Sequence, residues 1–150
     1  MKKGVIIIAI ILIILLLFVC GIGIGINSKT KTVVQFENDT YEKYLNSEIY
    51  GTDVITLINK AISQNESNHI SKDTKGYYIN NNVDSVQIEV EFITDEEEQK
   101  TTTYKMEQVA NLGTSEFIKN FNEAKFKCIE KRYHKETGKI SYIKLLHKSS

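Results

Sequence analysis

Residues Val5 to Ile26 form an unbroken apolar run, without charge or proline, behind Lys2 and Lys3. At about 1.5 Å rise per residue, a helix of about 22 residues spans about 33 Å, enough to cross the hydrocarbon core of a bilayer. The run is apolar on every face, so it offers no stripe on which a soluble core could close. A span at this position fixes how the rest of the chain is held. The expected plan is a cytoplasmic tip over 1–4, a transmembrane helix over 5–26, a connector or stalk over 27–46, and an extracytoplasmic α+β domain over 47–150.

Lys29 and Lys31 follow the run as Lys2 and Lys3 precede it, so lysine bias alone decides little. The orientation follows from the long polar part behind a short basic tip, which places the N-terminus in the cytoplasm and the domain outside a cell membrane crossed once. Three other fates compete. A cleaved signal peptide has a shorter apolar core, about 7–15 residues, although Gly21, Gly23 and Gly25 would suit a cleavage site. Lipidation at Cys20 would need a small residue before the cysteine, and Val19 stands there. Pilin-like processing after Gly4 would place a glutamate where Ala9 is found. Gly21 and Gly25 also carry the small-xxx-small spacing that lets helices approach, though glycines there equally end the span.

Beyond the anchor about 115 residues remain, enough for one domain with a modest core. Fifteen basic against nineteen acidic residues beyond Lys31 leave this part at a formal −4. It has no electrostatic footprint for nucleic acid and none for an anionic membrane surface. Lysine supplies nearly all the basic charge, with Arg132 the single arginine, a bias expected of an AT-rich bacterial genome. Cys20 and Cys128 lie on opposite sides of the anchor boundary, so they make no disulfide framework, and Cys128 is expected to be buried.

In the connector, Val34, Tyr41 and Leu45 have helical spacing, with Asn38-Asp39-Thr40 as the point where a helix would break and restart behind a new N-cap. A clear helix opens at Thr52 or Asp53, with Val54, Ile55, Leu57, Ile58, Ala61 and Ile62 on one face. The pattern stops at Gln64-Asn65-Glu66-Ser67-Asn68, which is expected to be a polar loop. From Asn82 the period becomes two: Val86, Ile88, Val90 and Phe92 alternate with Gln87, Glu89 and Glu91, a strand with one buried face. Asp95-Glu96-Glu97-Glu98 connects it to a returning strand over 101–106. Thr114 or Ser115 caps a short helix bearing Phe117, Ile118 and Phe121. Two further strands, 126–133 and 139–147, flank the turn Lys135-Glu136-Thr137-Gly138. The fold class is therefore α+β, a small antiparallel sheet of two hairpins packed against one or two helices.

Few constellations suggest chemistry. The acidic run at 95–98 lacks the glycine and spacing of a calcium loop and reads as a solvated hairpin tip. His69, His134 and His147 show no zinc-ligand spacing. Cys128 and His134 on one strand would stand about 20 Å apart, whereas His147 on the pairing strand is harder to exclude as a base for the thiol. Catalytic, cofactor-binding and metal residues are all expected to be none.

The stretch Gln35-Phe36-Glu37, through Tyr41-Glu42-Lys43-Tyr44, to Ile49-Tyr50-Gly51-Thr52-Asp53-Val54-Ile55-Thr56-Leu57-Ile58-Asn59-Lys60-Ala61-Ile62 resembles a segment of uncharacterised small single-pass membrane proteins of AT-rich, clostridia-like bacteria. The resemblance covers about a fifth of the chain. It implies the same plan, an N-terminal anchor with a short exported α/β region, and transfers no activity. The expected function is a non-enzymatic, envelope-associated interaction or assembly domain, with a pilin-like subunit as its narrower form. Its partners would be the bilayer through residues 5–26, and a protein or a second copy of the chain. The alternatives are a thiol-dependent surface enzyme using Cys128 and a lipoprotein anchored at Cys20.

Overall fold

A computed structural model describes residues 31–95 and 100–148. The expected span over 5–26, with Cys20, Gly21 and Gly25, lies outside the described residues, as does most of the acidic tip. Among the described residues no helix is long and apolar enough to cross a membrane. The chain divides into two compact units, residues 1–36 and 37–150.

Residues 31–45 are helical, α1. Asn38-Asp39-Thr40 does not interrupt it. The Thr40 hydroxyl donates back to the Glu37 carbonyl at 2.5 Å, a bond made within a helix rather than at its start. Tyr41 and Leu45 are buried in the core of the second unit. The last turns of the expected stalk are thus part of the domain.

The remaining order is β1 (Glu48–Tyr50), α2 (Gly51–Ser67), β2 (Gln87–Asp95), β3 (Lys100–Lys105), α3 (Met106–Leu112), α4 (Thr114–Phe121), β4 (Lys125–Tyr133) and β5 (Ile140–Lys148). The α+β class is as expected, but the sheet is not purely antiparallel. Its order is β1-β4-β5-β2-β3, and β5 runs parallel to β2, with Ile88 beside Ile143 and Val90 beside Leu145. Burial explains the arrangement. Ile88, Val90, Ile143 and Leu145 are all buried, so β2 and β5 take the centre. The threonine-rich β3 takes an edge, where unpaired backbone and polar side chains meet water. The two hairpins join through β2 and β5, and they do so in parallel. Two elements escaped the sequence pattern, the three-residue β1 and the two-turn α3, both too short to show a period.

One face of the sheet carries the core. Val54, Leu57, Ile58 and Ala61 of α2 are fully buried in one cluster with Val86, Ile88 and Val90. The helix begins one residue earlier than the sequence signals suggest. Asp53 still acts at its start, accepting from the Tyr50 amide at 3.2 Å. The reason for Gly51 is closeness: a Cβ there would stand 2.1 Å from the Phe121 carbonyl oxygen at the end of α4. Gly51→Ala is expected to force α2 and α4 apart, lowering stability by about 1–3 kcal/mol in chemical denaturation. An unchanged midpoint would show that the two helix ends are not held together.

Candidate functional site

A polar cleft sits where the β4–β5 turn meets the loop that precedes β2. That loop begins with three asparagines. Asn81 organises it, its side-chain oxygen accepting from the amides of Val83, Asp84 and Ser85, each at 3.0 Å. Asn80 accepts from the Asn82 amide and from the Ser85 hydroxyl. Asn82 itself has φ 63°, a left-handed conformation that asparagine tolerates better than most residues. The loop is fixed by its own side chains.

The β4–β5 turn closes with Gly138 at φ 70°, as its sequence suggests. Two contacts fasten it to the asparagine loop. His134, buried, bonds the Ser85 carbonyl through Nε2 at 2.7 Å, and the Thr137 hydroxyl donates to the Val83 carbonyl at 2.7 Å. Asn38 of α1 grips the same turn, donating to the Gly138 carbonyl and accepting from the Ile140 amide, both at 2.9 Å. Glu42 adds an ion pair to Lys131 at 2.8 Å and accepts a hydrogen bond from the Tyr133 hydroxyl.

Between the loop and the turn opens this cleft of about 450 Å³, with Arg132, Ser141 and Tyr142 among its lining residues. Its size is within the range of small-molecule sites. The Arg132 guanidinium lies 4.1 Å above the centre of the Tyr142 ring, and its Nε pairs with Glu130 at 2.6 Å. The Tyr142 hydroxyl donates to Glu89 at 2.7 Å. Burial, first, and that hydrogen bond hold the phenol well above its usual range, so it stays protonated. At the rim Lys135 and Glu136 face water, with no ion pair or hydrogen bond from either side chain among the described residues. The sequence signal that would have found this site is the run Asn80-Asn81-Asn82, a turn-forming cluster opposite a glycine turn.

The residues weighed for chemistry do not assemble. His134 lies in the turn and His147 opposite Phe126 at the far end of the hairpin, so the two imidazoles are apart. His69 is in the loop after α2, and among the described residues no three His, Cys, Asp or Glu side chains could hold a metal. Cys128 sits half-buried on β4, its thiol directed at the Glu130 carbonyl at 3.4 Å. Burial pushes that thiol above its ordinary pKa, the reverse of what a nucleophilic thiolate needs. Glu107 of α3, also buried, accepts from the Tyr78 amide at 2.8 Å and serves to hold the loop after α2.

His147 packs among aromatic rings, 5.2 Å from Phe126 and 5.5 Å from Phe92 between centroids. Burial lowers its pKa, because a charged imidazole is poorly solvated there. Above the unfolded value of about 6.5 both states are neutral and the group has no effect. As pH falls through that value the unfolded chain takes up the proton first, so stability drops until the folded-state pKa is passed. His147→Phe is expected to flatten this acidic slope in melting curves taken between pH 7 and pH 5. A slope that survives unchanged would assign it to other groups.

No protein-family model, no curated protein and no solved structure matches the chain. Nothing positive therefore points to an enzyme family.

Proposed function

We propose that the chain is a membrane-anchored extracytoplasmic domain whose work is interaction at the cell envelope rather than catalysis. The observation that carries this reading is the joining of two features: an apolar run of spanning length, and a domain whose own α1 residues Tyr41 and Leu45 are core residues. The raised pKa of Cys128 argues against the thiol enzyme. The resemblance to small single-pass proteins of clostridia-like bacteria agrees with the same plan. The pilin-like form is narrower and has Ala9 against it.

Protease added to intact protoplasts tests the topology. Digestion of the domain before lysis is the expected result. A domain that stays protected until the membrane is broken would place it inside and overturn the reading.

A further inference from the structure

The geometry points to a neutral, hydroxyl-rich ligand, a short saccharide, bound without cleavage in the cleft between the asparagine loop and the β4–β5 turn. This deepens the interaction reading by naming what the cleft takes, and it stands whichever side of the membrane the domain occupies.

Charge comes first. The Arg132 guanidinium is partnered by Glu130 at 2.6 Å, and at the rim Lys135 stands beside Glu136, one charge of each sign. A phosphate or a polyanion would find no excess of positive charge to hold it. Apolar ligands find no dedicated surface, since every lining side chain ends in a polar or charged group and the Tyr142 ring is already covered by Arg132. An extended peptide would want a free strand edge with side-chain pockets. Here β4 and β5 are paired with each other, but the outer edge of β4 beyond Lys127 has no strand beside it among the described residues, so a peptide is the occupant that the test below must tell from a saccharide.

What the cleft does offer is a mixture of unspent donors and acceptors. The Asn82 side-chain amide makes no hydrogen bond among the described residues. Asn80 uses only its oxygen, and Gln87 only its nitrogen, on the Tyr78 carbonyl at 2.9 Å. That leaves an N–H group of Asn80, the oxygen of Gln87 and both ends of Asn82 for a ligand. A hydroxyl both donates and accepts, so neighbouring hydroxyls on a sugar ring satisfy such a set, whereas a purely anionic ligand satisfies only the donors. The loop presenting these amides is held by the Asn81 and Asn80 bonds, so little ordering remains to be done on binding. Cleavage is not part of the proposal. Glycoside hydrolysis uses two carboxyl groups about 5–10 Å apart across the bond, and Glu136 is the one carboxylate among the described residues lining the cleft.

The test uses the full-length chain, isotopically labelled, in micelles of a zwitterionic detergent without a sugar headgroup. Titrants are a tetramer of N-acetylglucosamine, a tetramer of glucose, inorganic phosphate and a tetrapeptide of alanine. One of the neutral oligosaccharides is expected to shift amide resonances of residues 80–87 and 132–142 and to saturate at millimolar concentration or below. Asn82→Gly keeps the left-handed backbone while removing the amide, and should weaken binding at least tenfold with the rest of the spectrum unchanged. Asn59→Ala, exposed on α2, should bind as the parent does. Absence of shifts with both oligosaccharides overturns the proposal, as do shifts outside the cleft or a response to phosphate or peptide alone. None of these outcomes bears on topology, which the protoplast experiment reads separately.

Discussion

Leu57→Ala or Ile58→Ala is expected to cost about 2–5 kcal/mol of unfolding free energy, the usual range for emptying a buried large aliphatic site. Both side chains are fully buried, in the cluster that joins α2 to Val86, Ile88 and Val90 of the central sheet. A domain of this size has only about 5–15 kcal/mol in total, so either change should move the denaturation midpoint far enough to leave little margin. The proper control is Asn59→Ala, since Asn59 is exposed on the same helix. Lys60 is a poorer one than its place in the helical pattern suggests. Its ammonium lies 5.6 Å from the centre of the Tyr41 ring, and burial, with Lys43 nearby, lowers its pKa. Losing Lys60 therefore loosens α1 against α2. If Leu57→Ala and Asn59→Ala melt alike, α2 does not pack on the sheet.

The α2–β2 layer was legible because both elements are long enough to show a period, 3.6 in one and two in the other. The turn at Gly138 was legible from its chemistry. What escaped depends on pairing rather than on local pattern. No run of residues announces that β5 lies parallel to β2, because the choice is made by four buried side chains on strands about fifty residues apart. The expectation that α1 would break at Asn38 failed for a related reason. Asparagine is a capping residue by propensity, but here its amide is used on the backbone of residues 138 and 140, a hundred residues away. The cleft was hidden in the same manner. Its amides were visible as three consecutive asparagines, yet their value depends on the turn that His134 and Thr137 bring beside them. For Cys128 the expected burial is only half reached, though enough to push the thiol pKa up.

Asn65→Ala should rank with the core substitutions, although the sequence places Asn65 in the polar stretch that ends α2. The residue is fully buried. Its amide donates to the Val86 carbonyl and its oxygen accepts from the Val86 amide, both at 2.8 Å. Val86 stands one residue before β2, so no neighbouring strand is paired with it there, and Asn65 supplies the partner that a strand would have given. Truncation leaves a buried N–H and a buried C=O without partners, at about 1–3 kcal/mol each, so the total cost is about 2–6 kcal/mol. The lower end applies if water enters the space. Asn65→Asp separates the two bonds. A carboxylate still accepts from the Val86 amide but faces the Val86 carbonyl with oxygen against oxygen, so the variant should be destabilised at neutral pH and should recover as the pH falls and the acid is protonated, because the protonated acid can donate again. Denaturation midpoints of the aspartate variant, compared with the parent from pH 7 down to pH 4, check this. A gap that does not narrow on acidification would mean that the donated bond to the Val86 carbonyl contributes nothing, and that α2 is held to β2 by its apolar face alone.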